Sequence, residues 1–89
     1  MSRAFVNEDA GGSAPKRDYG LPPRDDPGYD DAAARALLQA AIDRETESAE
    51  AATGYYWGEP KLADAVRRIL AEAQASGDEA LERAARRFL

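Results

Sequence analysis

Carboxylates are the one reactive side chain this sequence holds in quantity. Its 89 residues include 17 Asp and Glu but no cysteine and no histidine. Without histidine there is no Ser-His or Cys-His nucleophile and no imidazole to shuttle a proton near neutral pH. Without cysteine there is no disulfide and no thiolate zinc site. The acid pairs Asp25-Asp26 and Asp30-Asp31 could face a divalent cation. Their spacing departs from the calcium loop, which alternates its acids around a central glycine and ends on a glutamate. Read structurally, they are helix caps and solubilising charge. Gly11-Gly12-Ser13 runs towards Pro15 rather than into the strand-to-helix step of a phosphate loop. We therefore expect no catalytic residue, no metal ligand, no cofactor and no enzymatic activity.

The remaining chemistry is that of recognition. Tyr55-Tyr56-Trp57 is the one aromatic cluster. Three consecutive aromatics cannot all point one way, so at least one should be exposed. Aromatic side chains bury much area with few torsions to freeze, which makes them interface anchors. Equally, they can plug the end of a core short of bulk, and the two roles are compatible. Arg83, Arg86 and Arg87 lie along one side of a C-terminal helix. They read either as a surface for an acidic partner or as solvated charge complementing the helix dipole. A helix-turn-helix reading would place Lys61, Asp64, Arg67 and Arg68 at the start of a recognition helix. Against direct nucleic-acid binding stands a net charge of −5, from 12 basic and 17 acidic residues. Neither the first 31 residues nor the remainder has the basic excess that phosphate neutralisation requires.

Hydrophobic periodicity gives the elements that must hold these groups. Four of the five prolines (Pro15, Pro22, Pro23, Pro27) and repeated glycines fall between Gly11 and Gly28. Such a composition favours extended or polyproline geometry over a packed element. Residues 1–29 are expected to form a flexible, extended arm with two stickier points, Phe5-Val6 and Tyr19 to Leu21. Residues 30–89 are expected to form the helical domain. An aspartate of Asp30-Asp31 could cap a first helix running about from Asp31 to Arg44, with Ala34, Leu37, Leu38, Ala41 and Ile42 on one stripe. A short second helix would start from Thr46 or Ser48 as cap and stop at Gly54. A third would open at Pro60, carry Leu62, Val66, Ile69, Leu70 and Ala73, and close at Gly77. Asp78 would cap a fourth with Leu81, Ala84, Ala85 and Phe88 on one face. The fold class is thus all-α, a small three- to four-helix bundle with an N-terminal arm. A core this small supplies roughly 3–5 kcal/mol, so help from a partner or a homodimer is a natural expectation.

No apolar run approaches the ~20 residues of a membrane span. The opening Met1-Ser2-Arg3-Ala4-Phe5-Val6-Asn7-Glu8-Asp9 has no hydrophobic signal core. A cytoplasmic protein is expected.

That opening, with Leu21-Pro22-Pro23-Arg24 and Pro27-Gly28-Tyr29 before a helix, resembles the start of Gre-family transcription elongation factors. The likeness is to the GreB-like branch, whose members often begin Ser-Arg-Gly/Ala-Phe-Val-Lys-Glu-Asp. It covers about the first 30 residues and implies a role beside RNA polymerase. The body departs from the family's long coiled-coil finger, being interrupted from Gly54 to Pro60. At the family's tip position, Gly77-Asp78 is followed by Leu81 where a glutamate is expected, with Glu82 one residue later. Transcript cleavage is therefore not carried over. The leading expectation is a protein-binding accessory factor that docks on RNA polymerase through Arg3, Phe5 and Val6 and presents Tyr55, Tyr56 and Trp57. The alternatives are a helical interaction or homodimerisation module of unrelated role and a small DNA-binding regulator.

Overall fold

The computed structural model describes residues 18–89; Arg3, Phe5 and Val6 lie outside the described residues. Four helices follow in order: α1 (Tyr29–Ile42), α2 (Thr46–Thr53), α3 (Ala63–Ser76) and α4 (Glu79–Phe88), with a 3₁₀ turn, Pro60–Leu62, leading into α3. No strand occurs among the described residues. The fold is an all-α bundle.

Helix α1 is its axis and touches each of the other three. The reason lies in its alanines. Ala33, Ala34, Ala36 and Ala40 are buried beside Leu37 and Leu38, so several faces of this helix are covered rather than one. A methyl group lets a neighbouring backbone come close, and the few large side chains then fill what space is left. Leu37 and Leu38 belong to one buried cluster with Leu62, Val66 and Ile69 from the α3 side and Ala85 and Phe88 from α4. Each fully buried Leu, Ile or Phe contributes ~1.5–3 kcal/mol. The α3 stripe is as the spacing predicts: Leu62, Val66, Ile69 and Ala73 are buried and Leu70 packs at its margin. Two ion pairs lace α1 to α3 on the surface, Arg35 to Glu72 at 2.7 Å and Arg68 to Asp31.

The predicted stops at Gly54 and Gly77 hold. Both residues are left-handed, with φ of 78° and 76°, a region that L side chains enter only with strain. The Asp78 carboxylate accepts the Leu81 N–H at 3.1 Å and caps α4. The starts of the first two helices need correction. Helix α1 begins at Tyr29 rather than Asp31, preceded by Gly28 and with no side-chain cap. Asp30 and Asp31 sit inside its first turn, favourable for the dipole, with their carboxylates aimed at Tyr55 and Arg68. Helix α2 follows Glu45, and Thr46 is already helical. Ser48 is buried within that helix, so neither it nor Thr46 is the cap.

The Tyr19 to Leu21 stretch lies on the bundle. Tyr19 packs against the core and its hydroxyl donates to Ser48 Oγ at 2.9 Å. Farther on, the Arg24 guanidinium stands 5.6 Å from the centre of the Tyr29 ring. Tyr29 is itself a core residue, 5% exposed, and its hydroxyl donates to the Thr53 carbonyl at 2.7 Å. No helix among the described residues is long and apolar enough to cross a membrane.

Candidate functional site

The connection from α2 to the 3₁₀ turn carries the aromatic cluster and is pinned at nearly every residue. Gly54 reverses the chain, and the Tyr55 N–H donates to Thr53 Oγ1 at 3.1 Å. The Tyr55 hydroxyl donates to Asp30 Oδ1 at 2.8 Å. That carboxylate, and after it partial burial, pushes the Tyr55 phenol's pKa above its ordinary value. Beyond Tyr56, the Trp57 N–H donates to Glu50 Oε2 at 2.8 Å. The Trp57 ring meets Phe88 edge-on, with centroids 4.9 Å apart. The Glu59 N–H then closes on the Tyr56 carbonyl at 3.1 Å, and Gly58 has a φ of 87°, the signature of a type II turn.

The three aromatics therefore divide. Tyr55 and Trp57 are half-buried against the core, and Tyr56 is 77% exposed. Two of the three rings thus fill the edge of the core, and one is left to solvent. Fixed neighbours on either side hold Tyr56 out into solvent, so little order remains to be imposed when it meets another surface.

On the other side of Trp57 runs an open groove of about 630 Å³. Its floor is apolar: Ala41 and Ile42 from the end of α1, Ala80 and Ala84 from α4, and the Trp57 ring. Arg44, Arg83 and Arg87 stand around it. The sequence stripe placed Ala41 and Ile42 on the core face of α1; both are half-buried and form this floor. Arg44 was invisible to pattern reading. It is the one non-glycine residue with positive φ among the described residues, at 61°. Its N–H donates to the Ala41 carbonyl at 3.2 Å and the next N–H, of Glu45, to the Ala40 carbonyl at 2.7 Å. This is the paired Schellman closure of a helix, in which the left-handed position ordinarily holds glycine. Here an arginine holds it, against a strain of about 1–2 kcal/mol.

The other candidate groups are engaged elsewhere. Arg67 pairs with Asp64 at 2.6 Å and Arg68 with Asp31, so both guanidinia of the suspected recognition helix already have a carboxylate partner on the bundle's surface. Arg86 pairs with Glu82 at 2.9 Å, whereas Arg83 reaches Glu79 only at 4.0 Å. Asp25 and Asp26 are exposed, and Asp26 accepts the Gly28 N–H at 2.7 Å. No group of three or more potential metal ligands occurs among the described residues. No family model, curated protein or solved structure matches the chain.

Proposed function

We propose that this chain is a non-enzymatic protein-binding accessory factor, working in the cytoplasm, with RNA polymerase as its partner. The observation that carries the binding role is Tyr56, 77% exposed on a loop whose two flanking aromatics are fixed by Asp30 and Phe88. An exposed aromatic on a preformed loop gains contact area on docking with little loss of freedom. In this reading Tyr56 is the anchor, while Tyr55 and Trp57 hold it and border the contact. The choice of partner rests on the likeness of the first 30 residues to Gre-family factors. Arg3, Phe5 and Val6 supply the second contact with the polymerase surface.

The test is direct binding of purified RNA polymerase to the immobilised full-length chain, compared with Tyr56→Ala and with the double variant Phe5→Ser, Val6→Ser. The proposal expects binding that each variant weakens while the circular dichroism of the bundle is kept. If the unaltered chain binds no polymerase, the partner is wrong; if Tyr56→Ala binds as well as the parent, the anchor is wrong.

A further inference from the structure

We infer that the groove between the end of α1 and α4 is a second docking site, taking an acidic amphipathic peptide segment of a protein partner. The apolar floor of Ala41, Ile42, Ala80, Ala84 and Trp57 suits an apolar face. Small side chains there let the backbone of an incoming helix approach closely, the arrangement of helix-in-groove recognition. The charged residues that line it are all arginines, with Thr46 the one other polar side chain. Arg44 and Arg87 have no ion pair among the described residues, and Arg83 has only a long one to Glu79. In a chain of net charge −5, three such guanidinia on one groove complement carboxylates on the occupant.

Two simpler accounts explain part of the cluster. Cations in the last turn of a helix complement its dipole, which covers Arg86 and Arg87 in α4. It leaves Arg44 unexplained, because the left-handed position that closes α1 is best filled by glycine and the Arg44 side chain makes no ion pair or hydrogen bond among the described residues. A nucleic-acid backbone would also meet arginines, but it offers no apolar face to the floor, and the acidic chain repels a polyanion. The occupant that answers both the floor and the rim carries leucine-like side chains on one face and carboxylates beside them.

The probe is a fluorescein-labelled helical peptide with Leu at i, i+4 and i+7 and Glu flanking them, titrated with the full-length chain and read by anisotropy. A second peptide has Lys in place of every Glu. The expected result is saturable binding of the Glu peptide and none of the Lys peptide. Arg87→Glu should weaken binding by about fivefold, the upper end of what one ion pair at a partly covered rim contributes. Ala80→Trp, which fills the groove from an exposed position on α4, should abolish it. Arg44→Gly separates binding from folding: it relieves the left-handed strain, so melting temperature should rise while peptide affinity falls. Equal binding of both peptides, or affinity for the Glu peptide that survives both Arg87→Glu and Ala80→Trp, would overturn the assignment. So would retention of a short DNA duplex that these variants abolish, or a dimer of the parent chain that Arg87→Glu dissolves; these would make nucleic acid or a second copy the occupant. None of these results depends on polymerase binding, so this site and the Tyr56 reading stand or fall separately.

Discussion

The two flanks of α1 use arginine in opposite ways. Towards α3, Arg35 and Arg68 each find a carboxylate on the facing helix, Glu72 and Asp31. Towards α4, Arg44, Arg83 and Arg87 gather around an alanine-lined groove, and no carboxylate lies within 4.0 Å of Arg44 or Arg87 among the described residues. On the first flank charge serves the fold, modestly, because exposed pairs contribute only ~0.2–1 kcal/mol. On the second it opposes the fold slightly, through the strained backbone of Arg44. The arginine at the strained close of α1, where glycine would suit the backbone better, is what the docking proposal accounts for.

One core lies under both flanks, and breaking it should erase the difference altogether. Leu37→Ala removes a side chain with no exposed surface at the centre of α1 and should cost ~2–5 kcal/mol. That is a large share of the domain's whole stability of roughly 3–5 kcal/mol, and it should bring the urea midpoint, followed by far-ultraviolet circular dichroism, down sharply. Arg44→Gly should act in the other direction, stabilising by about 1 kcal/mol and raising the melting temperature by about 4–8 °C. Arg68→Ala, on the paired flank, should destabilise by at most ~1 kcal/mol, less in high salt. Arg87→Glu should lower stability by about 0.3–1 kcal/mol, because it puts an acid in the last turn of α4 in place of a cation that complements the helix dipole.

A pH series sharpens the account at the aromatic loop. The Tyr55 phenol has a raised pKa in the fold, chiefly because its proton is shared with Asp30. The neutral phenol is therefore favoured by folding. Its stabilisation is complete below the unfolded value near 10 and is lost as pH rises through the folded value. Urea midpoints should fall above about pH 10, and Tyr55→Phe should be weaker at neutral pH but flatter across that range.

The sequence was most readable where local rules act alone. The α3 stripe from Leu62 to Ala73, the stops at Gly54 and Gly77, and the Asp78 cap each depend on neighbours a few residues away, and each is found in place. Composition puts Tyr29 at the end of the Pro/Gly-rich arm, just before the helical register begins at Asp30-Asp31. Its place in the core is set by the Thr53 carbonyl, distant in sequence. The caps of α1 and α2 were misassigned for a similar reason: Asp30 and Ser48 bond to Tyr55 and Tyr19 from other parts of the chain rather than to their own helix ends. The aromatic cluster was visible as a cluster, but which ring would face outward depended on where Phe88 and Asp30 came to lie. The groove was legible only in part. Arg83 and Arg87 were noted on α4, while Arg44 sits in a position whose usual sequence signal is glycine, so no pattern rule points to it.

The most direct test pairs two readings on a single variant, Arg44→Gly, made in the full-length chain: melting temperature, and affinity for the acidic Leu/Glu peptide. The account predicts that the first rises and the second falls, since the arginine is held there for a ligand at the expense of the fold. A melting temperature that drops, or a peptide affinity that does not change, would contradict it and return Arg44 to the structure as an ordinary part of the α1 terminus.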